Sequence, residues 1–138
     1  RGAFVGLSHS SDPTKLAQAV MEGVAFAVRD CQRVLNDAGT QIGRLLAVGG
    51  GSRSQTWLRM IATNLDAEIS LPEDGDFGGA LGAARLGLCA AENADPKDVM
   101  TMPGIRKVIG PDASLKAAYD DQYARYRALY PAIEEART

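Results

Sequence analysis

The stretch Leu45-Leu46-Ala47-Val48-Gly49-Gly50-Gly51-Ser52-Arg53-Ser54 decides the fold. Its four leading apolar residues run without a break, the pattern of a strand buried on both faces of a parallel or mixed sheet. The glycines end that run. Ser52 or Ser54 then offers an N-cap to a helix carrying Trp57, Ile61 and Leu65 at helical spacing. Further on, residues 68 to 71 read as a second strand and residues 72 to 76 as the loop that leaves it.

Upstream, Asp12 and Pro13 form a helix start, an acceptor at the N-cap followed by a residue of preset φ. Leu16, Val20, Val24, Val28, Cys31 and Leu35 recur at steps of three or four, which predicts one apolar face on a helix ending before Gly39. Gly23 inside it disfavours the helix, so a close backbone approach by a neighbour is expected there. The order helix, strand, glycine turn, helix, strand gives an α/β fold class.

Outside this centre the signals are shorter. Residues 2 to 7 read as an extended segment entering a polar turn at residues 8 to 12 that holds His9, the single histidine. Residues 78 to 91 carry few side chains larger than a methyl group, which predicts a helix packed close to its neighbours and bordering a site. Asp95-Pro96 reads as a short helical start and residues 105 to 109 as an extended piece. A last helix is expected from near Asp112, with Leu115, Tyr119, Tyr123, Tyr126, Leu129 and Ile133 on its apolar face and a kink or break at Pro131.

Composition narrows the function classes. A formal charge of −2 without a Lys/Arg cluster argues against nucleic-acid and membrane-surface partners. The two cysteines, Cys31 and Cys89, fall in apolar helical stretches and are expected to be buried small hydrophobes. With no signal peptide and no apolar run of membrane-spanning length, a cytoplasmic location is the expectation. The sequence opens at Arg1 rather than Met, as a piece of a longer protein would.

The residues that look chemical are those of the glycine turn. Three glycines admit a ligand to the backbone, and the following helix presents N–H groups and partial positive charge, which suits a phosphate. Glycines at such a junction equally serve turn geometry alone. A P-loop is excluded because no Gly-Lys-Ser/Thr follows. The dinucleotide fingerprint is met in part: Gly49 and Gly51 occupy its first and third glycine positions, Ser54 its sixth, and Glu73 or Asp74 could be its acidic partner. Arg53 is either a phosphate contact or solvated, Asp74 and Asp76 read as loop carboxylates, and Glu22 and Asp30 as helix surface.

Three stretches together resemble a known family. They are residues 1 to 7 leading into residues 16 to 23; Gly49-Gly50-Gly51-Ser52-Arg53-Ser54 with Trp57; and Gly75-Asp76-Phe77-Gly78-Gly79-Ala80-Leu81-Gly82-Ala83-Ala84. In this order they resemble the C-terminal region of the FGGY carbohydrate kinases, the xylulose kinase branch most of all. The sequence departs at Lys15, where the family has a polar or acidic residue, and at Gly79, which replaces a proline.

The resemblance implies a partial ribonuclease-H-like domain of the actin and sugar-kinase superfamily, with strands, packed helices and a long C-terminal helix. Residues 1–138 would be the C-terminal portion of the second, nucleotide-side domain, the N-terminal domain being absent. It further implies ATP or ADP with Mg²⁺ as cofactors and a sugar, a ketopentose such as xylulose, as acceptor in the full enzyme. Carried over by residue, Gly50 and Gly51 would face the nucleotide's ribose and α-phosphate, Gly49 would shape the turn, and Ser54 would stand near the nucleotide. Residues 80 to 84 would wall the pocket. No catalytic residue and no metal ligand is expected in this chain, so it would be inactive alone. Two other readings remain: an NAD(P)-binding Rossmann-type oxidoreductase domain, and a non-catalytic module forming a homo-oligomer through apolar surface that truncation exposes.

Overall fold

Three short strands pair into one small mixed sheet in the computed structural model, which describes residues 2–73, 75 and 78–135. In chain order the elements are α1 (Pro13–Asp37), β1 (Leu45–Leu46), a single 3₁₀ turn (Gly50–Arg53), α2 (Gln55–Leu65) and β2 (Ile69–Pro72). They are followed by α3 (Gly78–Glu92), α4 (Pro96–Val99), β3 (Ile105–Ile109) and α5 (Lys116–Glu135). The sheet order is β1-β2-β3, β1 parallel and β3 antiparallel to β2.

Register sorts the strand residues by face. Leu45, Ile69 and Ile109 stand side by side, as do Leu46, Ser70 and Val108 in the next row. Successive side chains of a strand point to opposite faces, so the first row and Leu71 meet α2, whose Leu58 and Ala62 complete the core. The second row faces outward, with Leu46 38% and Val108 48% exposed. The apolar run at residues 45 to 48 therefore supplies only a two-residue edge strand, Leu45–Leu46, covered on one face and not on both.

The helix starts follow the sequence. Asp12 caps α1 by accepting from the Lys15 N–H at 2.9 Å, and Pro13 occupies the first turn. Asp95 caps α4 in the same way through the Lys97 N–H. Ahead of α5, Asp112 accepts from the Ser114 N–H and hydroxyl, while its own N–H donates to Thr63 Oγ1 of α2 at 3.0 Å. α5 remains helical through Pro131, so the expected break does not occur.

The predicted apolar face of α1 is not the buried one. Its buried residues are Ala25 and Phe26, whereas Val20, Val24, Val28, Leu35 and Cys31 are exposed. Phe26 is drawn inward by the rings of Tyr119, Tyr123 and Tyr126, at centroid distances of 6.2, 6.0 and 5.4 Å. Arg29 reaches Asp120 at 2.7 Å on the same side, and Gln32 donates to the Leu65 carbonyl of α2. Polar residues thus share the packed side of α1, rotating it by about one position, or about 100°, from the apolar stripe. Gly23 has no neighbour within 4 Å of where a Cβ would stand, against the expected close approach.

α3 departs in the same direction. It has no buried residue, and a Cβ at Gly79, Gly82 or Gly87 would meet nothing within 4 Å. Its small residues are uncovered rather than packed, and Cys89 is only half-buried. Its start touches the sheet region, a Cβ at Gly78 standing 3.2 Å from the Val48 Cβ. Residues 2 to 7 form no strand, and His9 lies in an exposed turn closed by the Ser11 N–H on the Ser8 carbonyl.

Candidate functional site

The three glycines between β1 and α2 serve three different ends. Gly49 has φ 82° and ψ −178°, a conformation essentially reserved for glycine. Its N–H donates to the Gly75 carbonyl at 2.7 Å, tying the turn to the loop after β2, and its carbonyl accepts from the Ser52 N–H and hydroxyl. Gly51 is fixed by a neighbour: a Cβ there would stand 2.6 Å from Trp57 Cζ3. Gly50 has neither constraint, since its φ is ordinary and a Cβ would meet nothing within 4 Å.

Backbone donors complete this surface. The N–H groups of Gly50 and Gly51 open the 3₁₀ turn, where no preceding helical carbonyl can accept from them. Neither has a hydrogen-bond partner among the described residues. Two donors without a partner among the described residues, beside an open glycine and separated by Ser52, Arg53 and Ser54 from an 11-residue helix, form a surface to which an anion can approach closely.

Ser54 is placed differently. It is the N-cap of α2, its hydroxyl accepting from the Trp57 N–H at 3.3 Å. The side chain is committed to the helix start rather than turned towards the open face of Gly50. Arg53 is exposed, and with Gln55, Arg106 and Lys107 it lines an open cleft of about 490 Å³ beside the same helix start. Lys107 Nζ donates to Gln55 Oε1 there at 2.7 Å.

The other residues singled out in the sequence lie away from the turn. Asp30 is not idle helix surface, since it accepts from the Tyr123 hydroxyl at 2.6 Å and stands 3.5 Å from Arg127 Nε. Glu22 accepts from the Gln18 side-chain amide. Glu73 turns towards Gly104, where a Cβ would stand 2.7 Å from its carboxylate, so it is not extended towards a ribose at the glycine turn. Asp74, Asp76 and Phe77 fall outside the described residues. Trp57 was legible as a helix-face residue and as part of the stretch that resembles the family, but nothing in its spacing signals contact with Gly51.

Among the described residues no three His, Cys, Asp or Glu side chains gather closely enough to hold a metal ion. Among those residues, too, no helix is long and apolar enough to cross a membrane.

Comparison with known proteins adds to this geometry. Residues 1–91 match the family described as FGGY family of carbohydrate kinases, C-terminal domain. A xylulose kinase of Escherichia coli (strain K12) is 36% identical over 132 residues, covering 94% of this chain and 27% of that protein. Among solved structures, a xyloylose kinase from Brucella ovis is 56% identical with a TM-score of 0.86, over 99% of this chain and 28% of that one. The xylulose kinase from Rhodospirillum rubrum is 31% identical with a TM-score of 0.78, over 96% and 27% respectively. The chain thus spans little more than a quarter of the length of the proteins it resembles.

Proposed function

The chain belongs to the FGGY family of carbohydrate kinases, with their actin- and hexokinase-like fold, and we propose that it is the nucleotide-binding portion of an ATP-dependent sugar kinase. In this reading residues 1–138 are the C-terminal part of the second, nucleotide-side domain. The full protein transfers the γ-phosphoryl group of ATP to a ketopentose, xylulose being the acceptor suggested by its relatives' names.

One observation carries the nucleotide assignment. Gly49 and Gly51 are accounted for by backbone conformation and by Trp57, whereas Gly50 has no such reason within the described structure. A glycine kept free of a side chain on an open face, beside two N–H groups that have no partner among the described residues, suits the α-phosphate and ribose edge of a nucleotide. Gly50 and Gly51 then make the contact, Gly49 shapes the turn, and Ser54 acts through the cap it gives α2.

Phosphoryl transfer is achieved by positioning and by neutralising charge on several oxygens at once. The residues here bind and orient the nucleotide, and none of them is placed to take a proton from a sugar hydroxyl. Among the described residues no set of donors forms a metal site, so the Mg²⁺ that accompanies ATP is assigned to none of them. Turnover by these residues alone is accordingly negligible. The dinucleotide alternative loses its footing with the family assignment and with Glu73 turned to Gly104.

Calorimetric titration with MgADP, MgATP and NADH, beside a Gly50→Val variant, tests the reading. Binding of the adenosine phosphates that the variant loses supports it. Preferential binding of NADH, or nucleotide binding indifferent to the variant, overturns it.

A further inference from the structure

We infer that Trp57 is a positioning residue that sets the glycine turn for its ligand and links that turn to α1. The inference rests on the nucleotide reading of Gly50 and Gly51.

Trp57 is held at both ends. Its backbone N–H donates to the Ser54 hydroxyl at 3.3 Å, and its indole Nε1–H donates to the Met21 carbonyl of α1 at 3.3 Å. A carbonyl oxygen has two lone pairs, so Met21 can accept this bond in addition to one within its own helix. Between these two anchors the six-membered ring lies against Gly51, where a Cβ would come within 2.6 Å of Cζ3, 3.4 Å of Cε3 and 3.6 Å of Cη2.

The consequence is mechanical. Gly51 cannot sink towards α2 because the indole occupies that space, and its N–H is kept at the open side beside that of Gly50. With Val28 of α1, Val48 beyond β1 and Ile61 of α2, the ring also lines one open cavity of about 310 Å³ between these segments. A displacement of α1 at Met21 therefore moves the indole, and the indole moves the donors of the turn. Alignment of two donors with one phosphate is sensitive to such shifts, because hydrogen bonds weaken steeply away from linear geometry.

A mutant cycle on the chain tests this, using Gly51→Ala, Trp57→Phe and the double variant, with MgADP as the probe. Phenylalanine lacks the outer ring atoms that a Cβ at position 51 would strike. Gly51→Ala alone is expected to weaken MgADP by about tenfold or more, but by less than about threefold when added to Trp57→Phe. Trp57 is also the single tryptophan, so in the unaltered chain its emission should change on MgADP addition with the midpoint found by calorimetry. An equal Gly51→Ala penalty in both backgrounds, or MgADP binding that leaves the emission unchanged, overturns the positioning role and leaves the nucleotide reading standing. If the unaltered chain binds no MgADP, the nucleotide reading falls and the positioning role with it, while thermal unfolding of the same four proteins still reads the contact between position 51 and the ring.

Discussion

The Tyr123 hydroxyl of α5 donates to Asp30 Oδ1 of α1 across 2.6 Å, closing a contact between residues 93 positions apart. The same ring lies under the Arg29 guanidinium at 4.2 Å, and Arg29 continues to Asp120, which Lys116 also pairs at 2.7 Å. A clasp of alternating charge thus holds α5 to α1 over the aromatic cluster at Phe26. Burial pushes the Tyr123 phenol above its ordinary value, and the hydrogen bond to Asp30 and that carboxylate's charge add to the shift. Tyr119 is raised as well, by burial first and then by Glu22.

A pH dependence follows from that direction. A phenol whose folded pKa is raised contributes stability that is complete below its unfolded value of about 10. The contribution is lost as pH rises through the folded value. Unfolding free energy should therefore decline above about pH 10, and Tyr123→Phe should make the decline shallower. At neutral pH the same variant should lose about 1–2 kcal/mol, the worth of a hydrogen bond to a charged group at a partly buried site. Urea unfolding across the alkaline range measures both, and an unchanged alkaline slope would count against the assignment.

The division of labour among the glycines predicts a split between stability and binding. Gly49→Ala forces a side chain into φ 82° and should cost about 1–3 kcal/mol of stability. Gly50→Ala meets open space and should leave the unfolding midpoint close to that of the unaltered chain. Nucleotide titration of the same variants should rank them in reverse relative to their folding defects, with Gly50→Ala losing affinity while remaining fully folded. If both variants lose stability equally, the open face of Gly50 is not what the geometry indicates.

Ser54 separates a capping role from a ligand contact. Removing an N-cap hydroxyl costs about 1 kcal/mol, and aspartate caps as well as serine. Ser54→Ala should lower thermal stability by that amount, Ser54→Asp should preserve it, and Ser54→Ala should keep MgADP affinity within about threefold. A tenfold loss of affinity at unchanged stability, on the order of 1.4 kcal/mol, would make the hydroxyl a direct contact.

What the sequence made legible, and what it hid, divides along local and non-local lines. Asp12-Pro13, Asp95-Pro96 and the strand, glycine turn and helix at residues 45 to 65 are signalled by residues within a few positions of one another, and each forms close to where it was read. The packed side of α1 was not, because Arg29, Asp30 and Gln32 are turned inward by partners on α2 and α5 that no periodicity reveals. The glycine turn was visible as a candidate, but not the distinct reasons for Gly49, Gly50 and Gly51. Those depend on a backbone angle and on the placement of Trp57. The small residues of α3 were misread because small size permits close packing without supplying a partner.

That last distinction can be measured by comparing two leucines. Leu58 is 4% exposed and packs among Ala62, Ile69, Leu71 and Ile109, so Leu58→Ala removes apolar contacts and leaves a cavity beneath the sheet. Losses of about 2–5 kcal/mol are usual for such a change, a large fraction of a small domain's stability. Leu86 on α3 is 61% exposed, on a helix without a buried residue. Leu86→Ala should therefore stay within about 0.5 kcal/mol, since alanine is also the better helix former. Denaturant unfolding of the pair decides the matter. A Leu86→Ala loss approaching that of Leu58→Ala would mean that α3 is covered in solution, and that its small-residue face packs against something after all.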